Sequence, residues 1–320
     1  MHLKEIAIKS IDDLIRCLNL SSLLEVAGWP KPGNVHRTKN FKDTYFEHFL
    51  AGIAAIVPNF REFCYDVYSK YENNSRKYDF VNLGLFYKEA VTSMMRWQNG
   101  GNVLLGHILI LSPLASSATI CLKTEKLTFT DFTNNLKKII DDSTIEDTLY
   151  LYEAIRICNP GGLGLIDKYD INNQNSFKEI RDDNITLKEI FSISASYDLI
   201  SSEYTTGFEI ILKAGLPYYL NLYEKYHDIN IATVNTFLKL LSTHLDTLII
   251  RKSGKESARY VSNYASKVLK SGGITSKKGY KLLIKFDKKI HRQNGELNPG
   301  TTADLLAGVI FCALLFGLKY

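Results

Sequence analysis

Two long stretches of this chain carry no Asp, Glu, Lys or Arg. One is 102–122, and the other, 305–318, is apolar without interruption. A helix needs roughly 20 apolar residues to cross a bilayer, and the second stretch falls short of that. The first is broken up by Asn102, His107, Ser112, Pro113, Ser116 and Ser117. Both read as buried helices of a soluble protein, and a helix that is apolar all round must be covered by others.

The remaining sequence supplies such helices. Ile8, Ile11, Leu14, Ile15 and Leu18 recur at helical spacing, with a second short segment at 22–27. The pattern continues over 43–71, where Pro58 is expected to kink or split the helix, and over 83–95. Pro113 is expected to break the 102–122 run. Further helices are predicted at 128–140, 144–158, 217–227, 231–246, 256–270, 276–291 and 303–318. The 186–212 stretch reads as two pieces divided at Ser201-Ser202. The polar stretches 73–77 and 165–184 and the charged 251–255 read as loops. Few segments alternate with period two. The expected fold is therefore all-α, a single-domain multi-helix bundle over 1–320 with twelve or more helices.

The totals narrow the function. Net charge is +5, too weak to argue for nucleic acid but suited to a polyanionic small molecule. The five cysteines are scattered with no Cys-x-x-Cys pair, which reads as reduced thiols in a cytoplasmic protein. The seven histidines show no ligand spacing, so no zinc site is expected. Lys4, Glu5, Lys9, Asp12 and Asp13 leave no apolar core for a signal peptide, and no membrane segment is expected. Oligomeric state stays open.

Five junctions rich in Gly and Pro stand between the helices, at 29–37, 99–106, 159–164, 250–259 and 298–304. In the first, Pro30 and Pro32 bracket Lys31, so the lysine sits on a stiff arm, and Gly33 permits positive φ or close approach. Several helix termini aimed at one place make an anion site. Thr301, Thr302 and Asp304 at the head of the last helix suit that role or ordinary capping. Lys31, Arg37, Arg251 and Lys252 lie at junctions, and Glu25, Asp43, Asp147, Asp198 and Asp246 near helix ends. Cations with carboxylates suit a Mg²⁺-triphosphate. Each charge taken singly also fits a solvated face or helix end. Known nucleotide motifs are absent. Ser253-Gly-Lys-Glu256 lacks the upstream glycine and the hydroxyl of a P-loop, and Gly161-Gly-Leu-Gly164 lacks dinucleotide-binding spacing.

Together these blocks resemble the triphosphoribosyl-dephospho-CoA synthase family, the ATP:dephospho-CoA transferases, in a divergent archaeal and bacterial branch. The resemblance rests on Glu25 with Pro30-Lys-Pro-Gly33 and Asp43, and on Gly100–Gly106 with Pro113-Leu-Ala115. It extends to Ala154-Ile-Arg with Asn159-Pro-Gly-Gly-Leu-Gly164, Asp246-Thr-Leu-Ile with Arg251-Lys252, and Asn298-Pro-Gly-Thr-Thr-Ala-Asp304. Val103 stands where the family usually has Thr. The resemblance implies an all-helical enzyme that transfers the triphosphoribosyl group of ATP to a hydroxyl of dephospho-CoA and releases adenine, with Mg²⁺.

Under that resemblance Lys31, Arg251, Lys252 and Arg37 bind phosphates. Gly33, Asn34, Asn102, Gly300, Thr301 and Thr302 orient the nucleotide. Glu25, Asp43 and Asp147 are the catalytic carboxylates, and Glu25, Asp43 and Asp304 the metal ligands. Two other readings stay open from sequence. One is a related transferase or hydrolase acting on another acceptor, such as a pterin-type one-carbon carrier precursor. The other is a non-catalytic helical protein that binds a phosphorylated ligand.

Overall fold

A computed structural model describes residues 5–72, 77–162, 164, 167–291 and 295–319. Of the predicted loops, most of 73–77 and residues 165 and 166 lie outside the described residues, as does Leu163 of the third junction. The described residues form fourteen α-helices and contain no β-strand, only two isolated bridges. The first seven helices are α1 (Ile11–Ala27), α2 (Phe46–Lys70), α3 (Leu83–Trp97), α4 (Leu105–Thr124), α5 (Phe129–Asp141), α6 (Ile145–Cys158) and α7 (Ser176–Asp182). Then follow α8 (Leu187–Ser194), α9 (Leu199–Thr206), α10 (Leu216–Tyr226), α11 (Ile229–Thr243), α12 (Thr247–Lys270), α13 (Lys277–His291) and α14 (Gly300–Leu315). A π-helical turn, Ile210–Gly215, leads into α10.

The two uncharged stretches form the centre. α4 is long and apolar enough to cross a membrane by length and composition, but it is mostly buried inside the bundle. It packs against α14, and α14 also meets α1, α10 and α11. The amphipathic helices wrap this pair. Their starts are fixed by side chains that accept the free N–H groups of the first turn. Ser10 caps α1, Thr128 caps α5, and Thr144 with Asp147 forms a reciprocal box on α6.

The prolines do not break their helices. Pro58 sits inside an unbroken α2, where both it and Ala54, the residue whose carbonyl it leaves free, face solvent. Water can take that carbonyl. Pro113 sits inside an unbroken α4. The carbonyl it frees is that of Leu109, and the Tyr204 hydroxyl donates to it at 2.6 Å. The segment 22–27 is continuous with α1. The 186–212 stretch is divided not at Ser201 but at Asp198, whose carboxylate caps α9, and again at Gly207, where φ is 73°. The polar 165–184 stretch contains the short helix α7. The 251–255 segment is helical inside α12 and is interrupted only at Gly254, with φ 82°.

One polar group joins the centre to the periphery. Asp246 is fully buried, and its Oδ1 accepts from the N–H groups of Leu248 (3.0 Å) and Ile249 (3.1 Å), capping α12. Its Oδ2 accepts from the N–H (2.7 Å) and hydroxyl (2.8 Å) of Thr302 in the first turn of α14. Burial raises the carboxyl above its usual range, and the Thr302 donors oppose that rise. Replacing Asp246 by Ala orphans donors on two helices at once. Urea unfolding should register a loss of about 3 kcal/mol or more.

Candidate active site

All five Gly/Pro junctions meet at one cavity of about 490 Å³. Lys31 and Asn34 come from the first, Asn102 and Gly106 from the second, Pro160, Gly162 and Gly164 from the third. Arg251 comes from the fourth, and Asn298, Gly300, Thr301 and Asp304 from the last. Glu25, at the end of α1, and His107, in the first turns of α4, join them. Further polar lining comes from Lys168, Asp170, Asp198 and Ser201. Apolar lining comes from α6, α8 and the 167–171 segment, with Leu151, Ile155, Ile171 and Phe191. The volume is that of a drug- or nucleotide-sized pocket.

The ends of the two central helices, α4 and α14, make the floor. A methyl group on Gly106 would lie 2.0 Å from Asp304 Oδ2, so a side chain there would displace the Asp304 carboxylate. His107 Nε2 lies 3.5 Å from Glu25 Oε2 and 3.7 Å from Asp304 Oδ1. Its other ring nitrogen is buried without a partner. Burial pushes Asp304 up to about 7. His107 and Arg251 oppose that rise, while the Glu25 and Asp246 charges add to it. Burial would also raise Glu25, but the Lys31 ammonium and His107 outweigh it and hold that carboxyl below its usual range.

Lys31 is 1% exposed and donates to Glu25 Oε1, with its ammonium 5.7 Å from the centre of the Phe237 ring. Its stiff arm therefore delivers it to the cavity floor, where its charge is matched by a carboxylate. Burial draws its pKa down, and Glu25 opposes that. Arg251 is a more open cation. It lines the cavity one-third exposed, with Nη1 3.2 Å from Asp198 Oδ1. Asn34 donates from Nδ2 to Asn298 Oδ1 at 2.6 Å, while its own buried Oδ1 has no partner. Asn102 Oδ1 accepts from Leu105 N–H at 3.1 Å and so caps the start of α4. The Thr301 hydroxyl accepts from Thr247 at 3.2 Å.

Eight of the expected residues therefore come together: Glu25, Lys31, Asn34, Asn102, Arg251, Gly300, Thr301 and Asp304. The other six do not line the cavity. Asp43 is exposed on the segment leading to α2, and Arg37 is exposed with its guanidinium 5.9 Å from the Trp29 ring. Asp147 is spent on structure, accepting from Gly84 N–H and Thr144 N–H, both at 2.8 Å. Gly33, at φ 81°, packs against Ile290 and the Leu297 carbonyl. Lys252 reaches the Gly295 carbonyl at 3.4 Å, and Thr302 is held by Asp246. Sequence reasoning passed over His107, Asn298 and Lys168, a cation at the cavity wall. The signal for His107 was its position as the one histidine in a stretch, 102–122, that carries no Asp, Glu, Lys or Arg.

Fixed anions, cations and the head of a helix around one enclosed cavity define an enzyme of the all-helical kind that handles a charged small molecule. A family model described as ATP:dephospho-CoA triphosphoribosyl transferase matches residues 11–319, and the chain belongs to that family. It is similar to a 2-(5''-triphosphoribosyl)-3'-dephosphocoenzyme-A synthase of Escherichia fergusonii, 31% identical over 105 residues. That match spans 33% of this chain and 34% of the relative. It is also similar to a crystal structure from Archaeoglobus fulgidus, provisionally described as a triphosphoribosyl-dephospho-CoA synthase. The TM-score is 0.63 at 26% identity, covering 84% of this chain and all of that one.

Two stability outcomes follow. Lys31→Met leaves Glu25 charged and buried, so urea unfolding should show a loss of about 4 kcal/mol. Adding Glu25→Gln should restore much of it. Because folding raises the Asp304 pKa from its ordinary value to about 7, the folded chain holds the proton more tightly. Its contribution is therefore most favourable below about pH 4 and is lost as pH rises through 7. In metal-free buffer, Asp304→Asn should melt progressively above the parent between pH 4 and pH 8. Parallel melting curves across that range would remove the raised pKa.

Proposed function

We propose that this chain transfers the 5-triphosphoribosyl group of ATP to a hydroxyl of 3'-dephospho-CoA, releasing adenine. The observation that carries the reading is the meeting of all five junctions at one cavity, with Glu25, His107, Asp304 and Arg251 in its wall. The family description and the names of its relatives agree with it.

The reaction breaks the bond from the ribose anomeric carbon to adenine and makes one to the acceptor oxygen. Positive charge builds on the sugar as the bond breaks, and a fixed anion stabilises it. Glu25, held ionised by Lys31, is such an anion. The acceptor hydroxyl must lose a proton, and His107, between the two carboxylates, is the ring base placed to receive it. The departing adenine nitrogen takes up one proton, which balances the one the acceptor hydroxyl loses. Arg251 and Lys168 supply charge for the phosphates, and the α14 terminus at Gly300 and Thr301 adds a positive dipole end.

Mg²⁺ fits the floor. Glu25 and Asp304 offer the oxygen donors it prefers, and Asp304 carries a raised pKa that a cation would relieve. Those two residues would hold the ion, which supplies charge neutralisation for the triphosphate; Asp43 lies outside the cavity. The proposed setting is the cytoplasm.

Incubation with ATP, 3'-dephospho-CoA and Mg²⁺ should release adenine and yield the triphosphoribosyl conjugate by mass spectrometry. Folded protein that releases no adenine would rule the reaction out. His107→Gln should lower kcat by about 100-fold or more with little change in ATP binding.

A further inference from the structure

Asn34 and Val35 line the cavity, but the next residue does not. His36 is fully buried and faces α13. Its Nε2 has no hydrogen-bond partner and lies 3.6 Å from Asp287 Oδ1. One helical turn beyond Asp287, His291 brings Nδ1 to 3.1 Å from the same oxygen, and its Nε2 is likewise buried and unpartnered. The three residues offer ligand atoms that all lie within 4.8 Å of one another. The sequence expectation of no zinc site looked for ligands close in the chain. This cluster joins residues 251 positions apart with a pair at helical i, i+4 spacing.

Two imidazoles and one carboxylate, in a buried setting, make a donor set for a borderline divalent cation rather than for Mg²⁺. Bonds of about 2.0–2.1 Å in a tetrahedron separate ligand atoms by roughly 3.3 Å. The two measured edges to Asp287 Oδ1 bracket that value. The partners around the cluster also fit. The Thr38 hydroxyl lies 3.2 Å from His36 Nδ1 and can accept its proton, which leaves the Nε2 lone pair free for a metal. Thr38 N–H, at 3.4 Å from the same nitrogen, favours the other tautomer in the empty site. The Phe41 ring packs 5.2 Å from His291, centre to centre. In the absence of a cation, Lys39 donates to Asp287 Oδ2 and Gly33 N–H to Oδ1 at 3.3 Å.

We propose that His36, Asp287 and His291 bind a late first-row divalent cation, Zn²⁺ foremost, with a fourth position open to water. The site is separate from the catalytic cavity and independent of the proposed reaction. His36 follows Lys31 by five residues, so the ion pins the segment that carries Lys31 to α13. The role is structural, and Lys39 competes with the metal for the carboxylate.

The test uses the full chain, stripped with a chelator and then titrated with Zn²⁺ and with Co²⁺. Equilibrium dialysis should find one Zn²⁺ per chain at this site. A hundredfold excess over Kd should raise Tm by about 4 °C. His36→Gln and His291→Gln should weaken binding by about 100-fold. Lys39→Met should tighten it, on the order of tenfold. Cobalt should give the visible absorption of a four-coordinate nitrogen–oxygen site. If the Gln variants fail to fold, the cobalt spectrum of the parent and the Lys39→Met shift still decide. No retained Zn²⁺, a cobalt spectrum of the hydrated ion, or equal affinity across all the variants would overturn the site.

Discussion

A single buried carboxylate, Asp246, sets the geometry on which the cavity depends. It holds the first turns of α12 and α14 with four hydrogen bonds. Arg251 lies one turn into the first of these helices, and Gly300, Thr301 and Asp304 lie in the opening of the second. A shift of one helix end against the other would separate the cation from the carboxylate. Rigid helices precise to fractions of an ångström are what a charged substrate requires of its binding groups.

The floor shows how charge is carried in an apolar centre. Glu25 and Lys31 neutralise each other, which removes the largest cost of burying either. Asp304 has His107 3.7 Å away, and its pKa is raised by burial first and by the Glu25 and Asp246 charges after it. The site is therefore short of positive charge before any ligand arrives. An incoming metal with its phosphates meets a fixed deficit, while Arg251 and Lys168 face the opposite charge. Strain of this kind costs stability in the empty protein and favours the loaded one.

Much of the fold was legible in sequence. The uncharged stretches at 102–122 and 305–318 announced the central pair, and the Gly/Pro junctions announced the cavity. The failures have physical causes. Pro113 looked like a helix break because the rescue of its freed carbonyl comes from Tyr204, ninety-one residues later. Asp147 and Thr302 have the chemistry of site residues, but Asp147 is used up by the N–H groups of Gly84 and Thr144, and Thr302 by the Asp246 carboxylate. Asp43 and Arg37 lie in a block that carries the family resemblance, yet the chain turns them outward. Lys31 lines the cavity, but its matching to Glu25 is a property of burial that sequence does not display. His36 carries no metal-site signal in sequence, because Asp287 and His291 are far along the chain.

The contact between Gly106 and Asp304 has a consequence for how such a chain can vary. The two positions share one volume, so neither is free to change without regard to the other. Any residue larger than glycine at 106 requires the Asp304 side chain to turn away or to be shortened. Yet shortening 304 removes a carboxylate from the floor. A path that enlarges 106 therefore moves that charge or loses it. The two helices could drift apart in sequence along most of their length, but at this crossing they are bound to a common history.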